Sequence, residues 1–226
     1  MCNKAVIFDF NGTLFWDTEI NYESWSNCIK RWLNKEYTRE QYFSLNGRTT
    51  YETLEKVFDK KLDQETIDKL SKEKDIEYLK IMEAEKDSLS LAPGLEELLV
   101  KLIEKDIKIA IATSAPPELM EEYEKVFSLS RFFKKELIVS SDGSLPSKPN
   151  PAIYLKAIER LNIEASNCIV FEDTKSGIIS ASRANVNKIV AVNSLGADTE
   201  TINNLKQTAF HIKNFKEVQI ESLLDF

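Results

Sequence analysis

The 226-residue chain has one histidine, three cysteines and no excess of basic charge. Each scarcity excludes a class of function. The single histidine, His211, lies near the C-terminus and suits a surface or sheet-edge position, which makes a histidine-based acid–base mechanism a poor fit. Cys2, Cys28 and Cys168 have no close spacing and leave one unpaired, so they read as reduced thiols rather than a disulfide framework or zinc site. A formal charge of −7 argues against a general nucleic-acid or anionic-membrane surface. No apolar run reaches membrane-spanning length. The N-terminus runs into a strand without a charged lead and cleavable apolar segment. These absences predict a cytoplasmic protein with no membrane or nucleic-acid partner, and nothing in the sequence demands more than a monomer.

What is present points to an α/β fold. Hydrophobic residues make up 42% and charged residues 30%, enough for one full domain plus a small second module. Short β-branched runs occur at Lys4–Phe10, Ile107–Thr113, Glu136–Val139, Cys168–Phe171 and Lys188–Val192. Continuous apolar runs of this length suit strands buried on both faces. Amphipathic patterns lie between them: Leu95, Leu98, Leu99, Leu102 and Ile103 follow Pro93-Gly94, and Tyr154, Ala157, Ile158 and Leu161 follow Pro151. The alternation predicts a Rossmann-like parallel sheet with helices on both faces. Between about Asp17 and Leu91 no strand pattern occurs, and stripes such as Trp25, Ile29, Trp32 and Leu33 mark helices. The expected division is a core of residues 1–16 and 92–226, with an all-helical cap domain at 17–91.

Ligands of an open parallel sheet bind at the carboxyl ends of its strands. Those ends carry Asp9-Phe10-Asn11-Gly12-Thr13, Thr113-Ser114, Ser147-Lys148-Pro149 in a loop, and Glu172-Asp173. The set suits phosphate chemistry. Asp9 is the candidate nucleophile, forming an aspartyl-phosphate. Mg²⁺ held by Asp9, Asp173 and a backbone carbonyl would screen the repulsion between carboxylate and phosphate. Lys148 and the Thr113 hydroxyl would neutralise and orient the transferring oxygens, and Gly12 would let backbone amides approach.

In order and spacing these segments resemble the four motifs of the haloacid dehalogenase-like hydrolase superfamily: D-x-D-G-T at Asp9–Thr13, a strand-terminal Thr113, Lys148-Pro149, and EDTKSG at Glu172–Gly177. The insertion resembles the helical cap of the β-phosphoglucomutase and phosphoglycolate phosphatase branch. The resemblance implies a Mg²⁺-dependent phosphohydrolase of a small phosphorylated metabolite. Asp9, Asn11, Thr113 and Lys148 would be catalytic, and Asp9, Asn11, Asp173 and Glu172 would hold the metal. Ser114, Gly12 and Arg48 would contact substrate. Arg48 belongs to Asn46-Gly47-Arg48-Thr49-Thr50, which is similar to a substrate-facing cap loop and reads equally as a helix–helix turn with a threonine N-cap.

The main departure is Asn11, where family phosphatases carry an aspartate that protonates the leaving group and activates water. An amide cannot exchange that proton, although its backbone carbonyl remains a metal donor. Activity on alkyl phosphates is expected to be attenuated, and acyl or aryl phosphates and phosphoanhydrides less so. Other branches supply alternatives: a β-phosphoglucomutase-like phosphoryl transferase, against which Asn11 counts, a phosphonatase using a cap lysine, or a non-enzymatic phosphometabolite-binding regulator. A dehalogenase would need neither Mg²⁺ nor Glu172-Asp173. An extra residue before Asp17 leaves Trp16 as a hinge or site-lining residue. Asn11-Gly12 is also a deamidation-prone pair, and conversion to aspartate would restore the usual motif.

Overall fold

A computed structural model describes residues 4–45, 49–194 and 208–225. The chain divides into two compact units, one of residues up to Trp16 together with those from Ser90 onward, the other Asp17–Leu89.

Among the described residues the first unit is built on a six-stranded sheet whose strands all pair in parallel. Its strands are β1 (Ala5–Phe8), β2 (Lys108–Ala112), β3 (Ile138–Val139), β4 (Cys168–Glu172), β5 (Lys188–Val192) and β6 (Phe210–Ile212), in the order β3-β2-β1-β4-β5-β6. The central strand β1 pairs Phe8 with Ile111 on one side and with Phe171 on the other. Strand side chains alternate between faces, so β1 divides its apolar residues between two cores. Ala5 and Ile7 join Ala110, Val170, Ile153, Tyr154 and Ile178 on one face, beneath helices α7 (Ala152–Leu161) and α8 (Lys175–Arg183). On the other face Phe8 stacks on Phe171 at 5.1 Å, and Phe133 and Phe215 close around it. Helix α5 (Leu95–Glu104) packs against β2 and the Phe215 turn.

Helix α5 follows its sequence stripe with one exception. Leu95, Leu98, Leu99 and Leu102 are buried, while Ile103 is 47% exposed. At 3.6 residues per turn, Ile103 stands about a quarter-turn off the stripe centre. The chain enters α5 through Gly94 at φ 81°, where a β-carbon would collide with the Lys216 backbone.

Strand β6 is absent from the sequence expectation. Two of its three residues, Phe210 and His211, are exposed at the sheet edge, so it carries no apolar run to announce it. His211 is thus an edge residue.

The second unit consists, among described residues, of helices α1 (Thr18–Leu33), α2 (Arg39–Ser44), α3 (Thr50–Phe58) and α4 (Gln64–Glu85). Threonines at the N-caps of α2 and α3 form capping boxes with Gln41 and Glu52, and Asp63 caps α4. Its core joins Trp25, Ile29, Tyr37, Tyr42, Leu54, Ile67 and Leu70. Asp17, at the start of α1, is buried and accepts from the Tyr78 hydroxyl at 2.8 Å. No described helix is long and apolar enough to cross a membrane.

Leu99 is completely buried on α5. Leu99→Ala is expected to cost about 2–5 kcal/mol, read from the shift in urea midpoint at unchanged slope.

Candidate active site

The site is assembled at the carboxyl ends of β1, β2 and β4. Strand β1 ends at Phe8, and the Asp9 N–H still donates to Phe171 O at 3.0 Å, so Asp9 leaves the sheet in a fixed direction. Beyond it the chain folds into a tight turn. The Phe10 carbonyl accepts from the N–H groups of Thr13, Leu14 and Phe15, and the Gly12 N–H donates to Phe15 O at 2.7 Å. Gly12 has φ 78°, and a β-carbon there would overlap the Asp173 carboxylate. Glycine is therefore required both by conformation and by the approach of Asp173.

Lys148 is the hub. It comes from the loop before α7, through a cis Lys148–Pro149 bond. Its Nζ donates to Asp9 Oδ1 at 2.6 Å and to Glu172 Oε1 at 2.7 Å, and its side chain is only 7% exposed. The ammonium also lies 4.9 Å from the centre of the Tyr154 ring. Burial pulls the Lys148 pKa down, but the Asp9 and Glu172 carboxylates more than offset it and hold the group well above its ordinary value. Between these two carboxylates the charged form of Lys148 is favoured.

Glu172 has both oxygens engaged. Oε1 accepts from Lys148 and from the Tyr154 hydroxyl at 3.0 Å. Oε2 accepts from the N–H groups of Asp173 and Thr174, both at 2.8 Å, and from the Thr174 hydroxyl at 3.0 Å. Gly177 makes room for this carboxylate, since a β-carbon there would overlap it. Asp173 follows one residue later and accepts from the Thr13 hydroxyl at 3.0 Å. Burial raises the Asp173 pKa well above the usual carboxylate range, and the Glu172 and Asp9 charges raise it further.

The remaining sequence-derived candidates are placed as follows. Asn11 donates from Nδ2 to the Tyr123 hydroxyl at 2.8 Å. Thr113 is buried at the end of β2, where its hydroxyl accepts from the Ala115 N–H at 3.0 Å. Ser114 is exposed. Trp16 is half-buried, with no hydrogen-bond partner for its indole N–H among described residues. Arg48, with Asn46 and Gly47, lies outside the described residues, while Thr49 caps α3. The structure thus brings Asp9, Lys148, Glu172, Asp173, Gly12 and Thr13 into one connected group.

Tyr154 and Tyr123 are absent from the sequence-derived set. Tyr154 reads as one member of the α7 apolar stripe. A tyrosine at a core position needs a partner for its hydroxyl, which was the available signal.

Two carboxylates, Asp9 and Asp173, are available for a hard divalent cation, with the backbone oxygen of Asn11 in the intervening turn. Among described residues no three acidic, histidine or cysteine side chains form a ready-made cage. A cation that keeps several waters fits such a sparse donor set, and the excess of buried negative charge favours one.

The family model described as haloacid dehalogenase-like hydrolase matches residues 6–191. The chain belongs to that family. A phosphorylated carbohydrates phosphatase of Thermotoga maritima is 31% identical over 189 residues, spanning 84% of this chain and 85% of the relative. The putative phosphatase YhcW of Bacillus subtilis is 29% identical over 231 residues, spanning 98% and 96%. A crystal structure of a HAD hydrolase, family IA, variant 3, from Entamoeba histolytica superimposes with a TM-score of 0.91 at 32% identity, covering 98% of each chain.

A raised carboxyl pKa stabilises the fold below the unfolded value, near 3.8, and that contribution is lost as pH rises through the folded value. In EDTA, Asp173→Asn should therefore melt above the unsubstituted protein at neutral pH. The difference should close as pH falls toward about 4. Thermal melts across pH check this, and a lower melting temperature for the variant at neutral pH would contradict it.

Proposed function

We propose that this hydrolase is a Mg²⁺-dependent phosphohydrolase of a small phosphorylated metabolite, acting through an aspartyl-phosphate on Asp9. The observation that carries the reading is the Lys148 ammonium bridging Asp9 Oδ1 at 2.6 Å and Glu172 Oε1 at 2.7 Å. An ammonium so placed meets a carboxylate at the carboxyl end of the sheet, where an incoming phosphoryl group needs its charge balanced. The names of the Thermotoga and Bacillus relatives, both phosphatases, support the same class.

An Asp9 oxygen attacks phosphorus, and the bond from phosphorus to the leaving oxygen breaks. Water then attacks the aspartyl-phosphate, releasing inorganic phosphate and restoring Asp9. Lys148 orients Asp9 before attack and balances the phosphoryl oxygens during it. Thr113 is the proposed hydroxyl contact, and Gly12 and Ser114 supply backbone close to the phosphoryl group. Asp9, Asp173 and the Asn11 backbone carbonyl would hold Mg²⁺, which supplies charge neutralisation when bound. Glu172 is assigned to holding Lys148, because both its oxygens already have donors.

Asn11 sets the leaving-group preference. Its amide has no proton to give, so an alkoxide leaving group departs unassisted. Acyl phosphates and phosphoanhydrides release weakly basic oxygens and need no such donor. We rank them above the alkyl phosphates of phosphorylated carbohydrates.

Restoring the acid tests the reading. Asn11→Asp should raise kcat/KM on an alkyl phosphate by about 10²–10⁴-fold, with a much smaller gain on acetyl phosphate. Asp9→Asn should eliminate turnover of both. Equal activity of the unsubstituted protein and the Asn11→Asp variant on alkyl phosphates would show that another group supplies the proton.

A further inference from the structure

Asn11 does not stand alone in its turn. Its Nδ2 donates to the hydroxyl of Tyr123, which lies 112 residues away on helix α6 (Pro117–Phe127). Tyr123 is fully buried. Its ring stacks on Phe10 at 4.5 Å and meets Phe15 at 6.0 Å and Phe127 at 6.4 Å. Phe10 and Phe15 bracket the turn that carries Asn11. The aromatic packing therefore fixes the phenolic oxygen relative to the turn, and the hydrogen bond fixes the amide relative to the phenol.

We propose that Tyr123 is a positioning residue that holds the Asn11 side chain in one orientation as an intact amide. The role in turnover rests on the function proposed above. The chemical protection does not. Deamidation at Asn11-Gly12 requires the Gly12 nitrogen, after losing its proton to solvent base, to attack Asn11 Cγ. The bond from Cγ to Nδ2 breaks, ammonia leaves with a proton taken from water, and a second water opens the succinimide to aspartate or isoaspartate. Both reacting ends are held here. The Gly12 N–H donates to Phe15 O at 2.7 Å, and Nδ2 donates to Tyr123 at 2.8 Å. Releasing the second hold frees Cγ to rotate toward the nitrogen. A pair prone to deamidation in an unfolded chain is thus kept as asparagine by a tyrosine distant in sequence.

Tyr123→Phe removes one oxygen and keeps the stacked ring, and its melting temperature reports whether the core is intact. The hydrogen bond predicts an Asn11 deamidation rate about 2- to 10-fold higher in the folded variant, the Boltzmann equivalent of one neutral hydrogen bond. Peptide mass mapping after incubation at mildly alkaline pH reads this, with Asn46-Gly47 in the same chain as the internal control. Because conversion to aspartate restores the acid, turnover of an alkyl phosphate with Mg²⁺ should rise with incubation time faster in the variant than in the unsubstituted protein. That gain should be absent in an Asn11→Ala background, which has no amide to convert. Equal Asn11 deamidation rates in the two proteins would overturn the inference. So would a gain that persists in the Asn11→Ala background, which would come from packing alone. An unsubstituted protein with no turnover would remove the proposed function, and the deamidation rates would still judge the hydrogen bond.

Discussion

One buried cation between two carboxylates organises the core unit. The Lys148 ammonium holds Asp9 and Glu172 together across segments far apart in sequence, the end of β1 and the end of β4. Removing one partner from such a group leaves an uncompensated charge in a site with little solvent, which is far more costly than losing an exposed ion pair. The surrounding structure supports this contact. Tyr154 completes the Glu172 oxygen that Lys148 also uses, two backbone N–H groups at the start of α8 fix the other oxygen, and Gly177 leaves the space that the carboxylate occupies. The parallel sheet supplies the register, because Phe8 pairs with Phe171 and so sets Asp9 beside Glu172.

The same charge arithmetic leaves Asp173 without a cation of its own. Three acidic side chains meet one ammonium, and burial makes the third ionisation unfavourable. A divalent cation would reverse that cost, so the site is poised for the ion that its proposed chemistry requires. Asn11 restricts the chemistry further. An amide beside the proposed nucleophile keeps a backbone carbonyl for a metal but offers no acidic proton. In the proposed reaction the consequence would be a preference among leaving groups, with phosphoryl attack itself retained.

Much of the core unit could be read from residues alone. Five β-branched runs mark strands because both faces of a parallel sheet are buried, and the apolar stripes of α5 and α7 mark helices. Strand β6 could not be read, since it is short and mostly exposed. The acids and Lys148 were legible because strand ends converge in this architecture. Their division of labour was not. Glu172 and Asp173 are adjacent and look equivalent, yet consecutive residues at a strand end point in different directions. One is held by Lys148, Tyr154 and backbone donors, the other by Thr13. Tyr123 and Tyr154 escaped notice because each sits in an apolar pattern, and only their hydroxyl partners, 112 and 18 positions away, reveal a role.

The central claim is that Asp9 becomes covalently phosphorylated and is released slowly because Asn11 cannot activate water. Its most direct test is intact mass and peptide mapping of the protein quenched in acid during turnover of acetyl phosphate with Mg²⁺. The account predicts a hydroxylamine-sensitive phosphoryl group on Asp9 that accumulates toward one per chain. Turnover with no phosphoryl group on Asp9, or with the label on another residue, would contradict it.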